Sequence, residues 1–364
     1  MIDNLRTNIF DEYEDNITIL HKLEKKVKEL LNELLEPHKA EIHAISSRTK
    51  LKDSLIKKVE LKNKYNSLRD ITDIVGFRVI TLFADTVDEV AKIIKSEFKI
   101  DIQNSIDKRE TIEPNKFGYL SLHYIASFSD NRIILPENKI FLNFRFEIQI
   151  RSILQHTWAE IEHDLGYKSK NSIPEEIQRR FFRLAGLLEI ADEEFKHIRD
   201  QIEKYQNQVG DSINKNNLDN VQIDIESIKE FVLREPLVNE ISKIISKKAN
   251  VPLYKDQAVE ADIIERLISS DLNNLEQIKG DLEKYKNQII EFAVLWISER
   301  EKINIGFITY EVVFIYLCYV KLALIGDVSA IIERLNKFPI YICTPEEFQQ
   351  LAERILRTYQ KITP

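Results

Sequence analysis

A basic cluster at the start of a predicted helix has the residue types of a polyphosphate site. Ser54 and Lys58 are four residues apart and share one helix face, and Arg48 and Lys50 lie where a predicted strand turns into that helix. A polyphosphate needs several donors on one side, which an ammonium, a guanidinium fork and a hydroxyl near a helix N-terminus supply. A solvated basic helix has a similar composition, so the interpretation depends on the neighbouring clusters.

A carboxylate and a guanidinium flank a glycine where the next strand begins. Asp73 precedes Gly76 and Arg78 follows it. A carboxylate beside a residue that allows close backbone approach suits a Mg²⁺ ligand. Arg78 can stack on a base or bind phosphate. The alternative is a structural salt bridge between Asp73 and Arg78.

Two further polar rows lie on predicted strands. Tyr119 and His123 alternate onto one strand face, where the ring can stack and the imidazole can contact a phosphate or a hydroxyl. Residues 144–151 read FRFEIQIR, which places Glu147 and its polar neighbours on one face and apolar residues on the other. An exposed strand edge would also carry such a row, so the other clusters again decide its meaning.

Composition indicates an ordinary globular chain dominated by helix. It has 364 residues, a net charge of −8, 8 glycines and 9 prolines, and the negative charge argues against a surface that binds nucleic acid throughout. Cys318 and Cys343 have apolar surroundings typical of core residues in a reducing compartment. With no secretory signal visible, we expect a cytoplasmic protein. The apolar run 307–325 contains Glu311 and Lys321, which favours a buried helix over a membrane span.

The hydrophobic pattern predicts two domains. Residues 1–210 contain an N-terminal helix, alternating strands and helices, and a long helix over 174–209. Residues 211–220 are polar and predict a flexible linker. Residues 221–364 are helical by period and carry no legible site, so their ligand or partner is unknown.

The polar clusters together resemble the RelA/SpoT-type alarmone synthetase domain, over residues 40–205. Those enzymes transfer the β,γ-pyrophosphate of ATP to the 3′-hydroxyl of a guanine nucleotide. The resemblance implies an α+β fold: a nucleotidyltransferase-like mixed five-stranded sheet with flanking helices, followed here by an all-α C-terminal domain. Its motifs are Arg48-x-Lys50-x3-Ser54-x3-Lys58, Asp73-Ile-Val-Gly76-Phe-Arg78, Gly118-Tyr119-x-Ser121-Leu122-His123, Glu147-Ile-Gln149-Ile-Arg151 and Trp158-Ala-x2-Glu162-His163-x-Leu-x-Tyr167-Lys168.

The resemblance also implies residue roles. Arg48 and Arg78 would hold the adenine between them, and Lys50, Ser54 and Lys58 would contact the ATP phosphates. On the acceptor side, Tyr119 would stack on the base, with Lys108 and His123 near the phosphates and Gln149 and Arg151 completing the face. Asp73 would bind Mg²⁺, which Glu147 would share while it orients or deprotonates the attacking hydroxyl.

Three departures from the family pattern lie on the acceptor side. Phe117 replaces the usual Asn, Leu120 replaces a polar or basic residue, and the loop at Arg109 differs. We expect GDP or GTP as acceptor. The alternatives are a toxin that pyrophosphorylates the tRNA 3′-CCA end or makes an adenine alarmone, restrained by its C-terminal domain, and a catalytically inactive nucleotide sensor. Whether copies of the chain assemble stays open.

Overall fold

The chain divides into two compact units, Met1–Asp200 and Gln201–Pro364. The structure, a computed structural model, describes residues 2–107, 121–167, 174–254, 259–299, 306–338 and 344–363. The elements of the N-terminal unit are α1 (Ile2–Leu34), β1 (Ile42–Thr49), α2 (Lys52–Lys62), β2 (Val75–Thr81), α3 (Thr86–Glu97), β3 (Phe98–Ile100), β4 (Ile106–Asp107), β5 (Leu122–Phe128), α4 (Asp130–Ile133), β6 (Phe146–Ser152), α5 (Ile153–Tyr167) and α6 (Glu175–Asn214), which continues into the second unit. Short 3₁₀ turns occupy Glu36–Glu41, Leu68–Asp70 and Lys139–Phe141.

A mixed sheet forms the centre of the N-terminal unit. Its strand order is β1-β2-β6-β5-β3, with β4 paired to β5. The β2 and β6 strands are parallel and interior, whereas the other pairs are antiparallel. This confirms the predicted α+β fold and mixed sheet. The sheet has six strands instead of five, because two residues of the loop before β5 pair with it as β4.

The apolar face of β6 is the middle of the first core. Phe146, Ile148 and Ile150 are fully buried, and the ring of Phe146 meets those of Phe77 and Phe98 edge to face, with centroids 5.6 Å apart in both pairs. Burying each of these side chains contributes about 1.5–3 kcal/mol. Since strand residues alternate between faces, this packing turns the polar residues of β6 to the opposite side of the sheet.

Helix α1 holds the end of β1 in place. The carboxylate of Glu24 accepts hydrogen bonds from Ser47 Oγ at 2.8 Å and Thr49 Oγ1 at 2.6 Å. The hydroxyl of Tyr13 donates to the backbone oxygen of Lys50 at 2.8 Å. The apolar stripe of α1 is buried beneath these contacts, including Leu23. The strand end that carries the basic cluster is therefore anchored from behind.

Helix α6 is attached to the sheet by polar contacts near its middle. Ser152 Oγ donates to Asp192 Oδ2 at 2.6 Å. Arg199 forms a forked ion pair with Asp85, at 2.5 and 3.2 Å. Burial raises the pKa of Asp192, and the hydrogen bond from Ser152 only partly offsets that rise.

Two parts of the sequence interpretation differ from the structure. The predicted linker 211–220 begins inside α6, which ends at Asn214, and the division between the units falls within the same helix. The apolar period simply continues past the polar surface residues: Val209 and Ile213 are buried in the second core. On α5, helical spacing puts Ile161 and Leu165 on the same face as the buried Trp158 and so predicts that they face inward, yet they are 50% and 59% exposed.

The C-terminal unit is helical around its own core, as expected. One small parallel pair of strands, β7 with β8, is added to the predicted helices. Cys318 is fully buried, which raises its thiol pKa to about 11, whereas Cys343 lies outside the described residues. No described helix is long and apolar enough to cross a membrane. The remaining elements are α7 (Ile225–Arg234), α8 (Pro236–Ala249), β7 (Leu253–Tyr254), α9 (Ala261–Ser269), α10 (Leu275–Lys284), α11 (Lys286–Ser298), β8 (Ile308–Thr309), α12 (Val312–Ala323), α13 (Val328–Leu335) and α14 (Pro345–Ile362).

The raised pKa of Asp192 predicts a pH-dependent effect of Asp192→Asn. A carboxyl whose folded-state pKa is raised contributes its full stability below the unfolded pKa and loses it as the pH rises through the folded value. Replacing it with a neutral amide removes that loss. We expect the thermal midpoint of the variant to rise relative to the wild type as the pH increases from just below the ordinary pKa of 3.8 to 7. If the difference in thermal midpoint between the variant and the wild type stays constant or shrinks as the pH rises, the raised pKa of Asp192 is contradicted.

Candidate functional site

The strand register brings the predicted clusters to one level of the sheet. Gly76 is paired with Arg48 on one side and with Glu147 on the other. One step along, Gln149 lies between Arg78 and His123. All of these residues except His123 line a cavity of about 190 Å³. The full set of lining residues is Ser46, Ser47, Arg48, Asp73, Gly76, Phe77, Arg78, Glu147 and Gln149. Four segments far apart in sequence thus contribute to one polar site.

Asp73 lies between two lysines. Its Oδ2 is 2.9 Å from Lys50 Nζ and its Oδ1 is 2.5 Å from Lys58 Nζ. Burial raises the pKa of Asp73, but the hydrogen bonds and charges of Lys58 and Lys50 outweigh it and hold the pKa below its usual range. The carboxylate is therefore ionised at neutral pH. The backbone supports this arrangement, because the amide of Lys50 donates to the oxygen of Ile74 at 2.7 Å.

Glu147 belongs to a chain of hydrogen bonds along the polar sheet face. Its Oε1 is 2.8 Å from His123 Nδ1, and its Oε2 accepts from Gln149 Nε2 at 2.9 Å. Gln149 Oε1 in turn accepts from Arg151 Nη2 at 2.9 Å. Since an ionised carboxylate only accepts, Nδ1 of His123 carries a proton, and the other ring nitrogen is 2.6 Å from Ser121 Oγ.

The electrostatics of this chain keep Glu147 charged. Burial raises its pKa and the charge of Asp73 raises it further. The hydrogen bond and charge of His123, together with the bond from Gln149, outweigh both and leave the pKa below its usual value. The site therefore keeps two neighbouring carboxylates ionised, which stays favourable only while cations compensate them.

Arg78 is paired with an acid that the sequence interpretation did not include. Its Nη1 lies 2.9 Å from Glu160 Oε1, on α5. The alternative of a structural pair with Asp73 is therefore not found. His156 also approaches Glu160, at 3.8 Å. The sequence did offer a signal, because Glu160 lies two residues after Trp158, inside the motif that begins at Trp158.

The other predicted ATP-side residues are open to solvent. Arg48 is exposed and lines the cavity. Ser54 is exposed on α2, one turn before the half-buried Lys58. On the acceptor side, Arg151 is nearly buried, at 2% exposure. Two predicted acceptor residues, Lys108 and Tyr119, and the departures at Arg109, Phe117 and Leu120 lie outside the described residues.

The donor set fits a hard divalent cation. Asp73 and Glu147 offer carboxylate oxygens close enough for the charge of one to raise the pKa of the other, and Mg²⁺ prefers oxygen ligands. The two oxygens of Asp73 contact Lys58 and Lys50. A bound Mg²⁺ would therefore replace these ammonium groups at the carboxylate. These two residues are the ones that would hold the metal.

Comparison with known proteins finds a family match for part of the chain. The model of a region found in RelA / SpoT proteins matches residues 47–172. Those residues are therefore similar to that family region. The match ends well before the C-terminal unit, so the family description applies to the N-terminal unit alone.

Two curated relatives and one solved structure are each similar to about half of this chain. GTP pyrophosphokinase YjbM of Bacillus subtilis (strain 168) is 28% identical over 169 residues, which are 45% of this chain and 75% of the relative. GTP pyrophosphokinase YwaC of the same organism is 26% identical over 212 residues, which are 56% and 97%. The crystal structure of small alarmone synthetase 1 from Bacillus subtilis is 24% identical, with a TM-score of 0.45, and the match covers 53% of this chain and 99% of that one.

The position of Asp73 between two ammonium groups predicts a loss of stability in Asp73→Asn. Without the carboxylate, Lys50 and Lys58 would face each other without a counter-charge. Removing one partner of a partly buried charged contact costs about 1–3 kcal/mol. Because the pKa of Asp73 is lowered, this stabilisation is present above the unfolded pKa and is lost as the pH falls through the folded one.

Urea unfolding at pH 7 and at a series of pH values that descends below the ordinary pKa of 3.8 measures this effect. The control is Glu14→Gln, which breaks the exposed pair with Lys52 at 2.5 Å and should cost little stability, because water and salt screen an exposed ion pair. Adding Lys58→Met to Asp73→Asn should recover part of the loss. If Asp73→Asn were as stable as the control at pH 7, the ion triplet would not be a stabilising feature.

Proposed function

We propose that the N-terminal unit of this protein is an ATP-dependent pyrophosphokinase that modifies the 3′-hydroxyl of GDP or GTP. The observation that carries the proposal is the single polar sheet face, where two ionised carboxylates lie among lysine, arginine and histidine side chains. The names of the two relatives, both GTP pyrophosphokinases, support the class of acceptor. The product would be a guanosine alarmone of the (p)ppGpp type, and the biological setting would be a stringent response.

The reaction is a displacement at phosphorus. The acceptor 3′-oxygen forms a bond to the β-phosphorus of ATP, and the bond from that phosphorus to the oxygen bridging the α-phosphate breaks, so that AMP leaves. The hydroxyl proton passes to Glu147, at the carboxylate that His123 and Gln149 hold in position. Because its pKa is lowered, Glu147 is always ready to accept but is a weak base, so orientation of the hydroxyl is its larger contribution.

The donor nucleotide would be bound by the cations on the other side of the site. Lys50 and Lys58 are held by Asp73 at 2.9 and 2.5 Å, and their ammonium groups can turn to phosphate oxygens when ATP enters. Arg48 and Arg78 would flank the adenine, and Ser54 would contact a phosphate from the exposed face of α2. Mg²⁺, when held by Asp73 and Glu147, would neutralise charge on the transferred group.

Arg151 is less accessible to a ligand than the acceptor residue His123. It is nearly buried and donates to Gln149 Oε1. We therefore infer that it positions Gln149, which positions Glu147, and that acceptor phosphates meet His123 instead. Lys108 and Tyr119 complete the acceptor site in this proposal.

A second candidate is transfer to the 3′-CCA end of tRNA, which would make the protein a translation toxin. Its support is that Arg109, Phe117 and Leu120 depart from the family pattern on the acceptor side. In that case the C-terminal unit would be a candidate restraint. An adenine nucleotide acceptor has the same support.

Glu147→Gln should lower the rate of transfer much more than it weakens substrate binding. A general base contributes about 10²–10⁴-fold, so we expect kcat to fall by about 10²-fold or more while the KM for ATP changes little. Steady-state assays of AMP release measure both constants. Glu137→Gln, the same change at an exposed position away from the cavity, should leave them unchanged. A variant at Glu147 with near-normal kcat would remove this residue from the mechanism.

The acceptor is decided by offering γ-labelled ATP with GDP, GTP, AMP or deacylated tRNA in parallel. Label on GDP or GTP, absent with Glu147→Gln, is the expected result. Label on tRNA alone would support the toxin, and label on AMP alone would support the adenine alarmone. No transfer to any acceptor would contradict the enzymatic proposal and favour a nucleotide sensor.

A further inference from the structure

Helix α6 carries large apolar side chains that are open to solvent along the part of the helix that belongs to the N-terminal unit. Those that are 46% to 61% exposed are Ile177, Phe182, Leu184, Leu187, Ile190, Phe195 and Ile198. Single exposed apolar residues are ordinary, but a continuous apolar patch marks an interaction surface. The proposed transfer reaction does not use this surface.

Most of these side chains follow a seven-residue repeat, which we call the seam of α6. Apolar residues recur along it at alternating spacings of four and three, in two rows: Ile177, Leu184, Ala191 and Ile198, and Phe181, Leu188 and Phe195. Such a repeat is the pattern of a coiled coil, in which a second helix packs along the seam. A surface helix that only covers its own core buries its apolar stripe, whereas none of these seven side chains is buried.

The N-terminal unit holds α6 by one flank of the seam. Ala185 and Asp192 are 8% and 4% exposed, and Asp192 accepts a hydrogen bond from Ser152. Arg199, seven residues further along, is paired with Asp85 at 2.5 Å. The three positions on this flank also recur every seven residues. The helix is therefore fixed from one side, and the seam beside that side stays open.

The other flank carries charges that fit a second copy of the helix running in the opposite direction. Its residues are Arg180, Leu187 and Glu194, again seven apart. In an antiparallel pair centred at Leu187, Arg180 of each copy lies beside the partner's Glu194. Charges at flanking positions set the orientation of a coiled coil. A parallel pair would instead bring this flank against the flank of Ala185 and Asp192, which is already buried.

The same antiparallel register also fits the sizes of the seam residues. It places Phe181 opposite the partner's Ala191, and Leu184 opposite the partner's Leu188. A large ring against a small side chain, and leucine against leucine, fill the space between two helices without overlap. Charge and size thus select one register.

The present partners of the two flanking charges are weak. Arg180 lies 3.8 Å from Glu176, and Glu194 lies 3.9 Å from His197. All four side chains are at least 62% exposed, and exposed ion pairs at such distances contribute little. A closer partner on a second copy can therefore replace them.

We propose that two copies of this chain associate through an antiparallel pairing of their α6 helices. The occupant of the seam is a second copy because the seam is complementary to itself about Leu187, as the contact in a two-fold dimer must be. A membrane-binding helix has a polar face rich in cations, whereas the flank of α6 carries both Arg180 and Glu194.

Sedimentation equilibrium of the full chain over a range of concentrations tests the proposal, with a dimer as the expected result. Arg180→Glu and Glu194→Arg each place like charges opposite each other at two symmetric contacts, so each should raise the dimer Kd about tenfold or more. The double variant with both changes restores opposite charges and should return the Kd close to the wild-type value.

The matched control is Arg179→Glu. Arg179 is exposed, lies next to Arg180 and points away from the seam by helical spacing. The change alters the net charge of the chain by the same amount, so the Kd should stay unchanged. An effect as large as that of Arg180→Glu would overturn the proposal, because general repulsion between the chains would then explain the loss.

Three other results would also overturn the proposal. A wild type that stays monomeric at the highest concentration would remove the second copy and leave the seam to a different protein. Single reversals without effect on the Kd would mean that another surface joins the copies. A double variant that stays as weak as the single ones would contradict the antiparallel register. None of these measurements depends on pyrophosphate transfer.

Discussion

The parallel pairing of β2 with β6 is the constraint on which the site depends. It places Gly76 opposite Glu147, and Asp73 enters the same face three residues earlier. Two ionised carboxylates that line one cavity repel each other. The repulsion is visible in the way Asp73 raises the pKa of Glu147. The hydrogen-bond donors and cations of the site compensate this repulsion.

The compensation is divided between two sets of donors. Asp73 has two lysines, one from the end of β1 and one from α2, while Glu147 has an imidazole and an amide. Lysine side chains are long and rotatable, whereas His123 and Gln149 are fixed on neighbouring strand positions. The donors of Asp73 can therefore leave for phosphate oxygens, but those of Glu147 stay. This asymmetry matches a donor side that must accept a charged nucleotide and a carboxylate that must keep its orientation.

The sequence predicted correctly those helices and strand faces that a local hydrophobic period determines. Alternation in residues 144–151 predicted both the buried face of Phe146 and the polar face of Glu147, and the 3.6-residue period predicted α1 and α3. The sequence predicted less about side-chain contacts that depend on how distant segments are aligned in space. The pairing of Arg78 with Glu160 required the position of α5 over the sheet, and the contact of Lys50 with Asp73 required the β1 register. Where a helix continues through a polar stretch, as α6 does, the local sequence does not indicate where one unit ends and the next begins.

Local charge, and not the net charge of −8, decides what the polar face can bind. Exposed charges farther apart than about 8–10 Å are screened at physiological salt, so the acids elsewhere in the chain have little effect at this cavity. Within the described residues, most cations of the site are paired in the absence of ligand: Lys50 and Lys58 with Asp73, Arg78 with Glu160. Their positive charge becomes available only when a compact, highly charged group displaces those acids from them. A nucleotide triphosphate concentrates charge in this way, whereas a long polynucleotide backbone spreads it over a surface. Under the proposed function, the paired cations therefore favour a compact nucleotide as the donor.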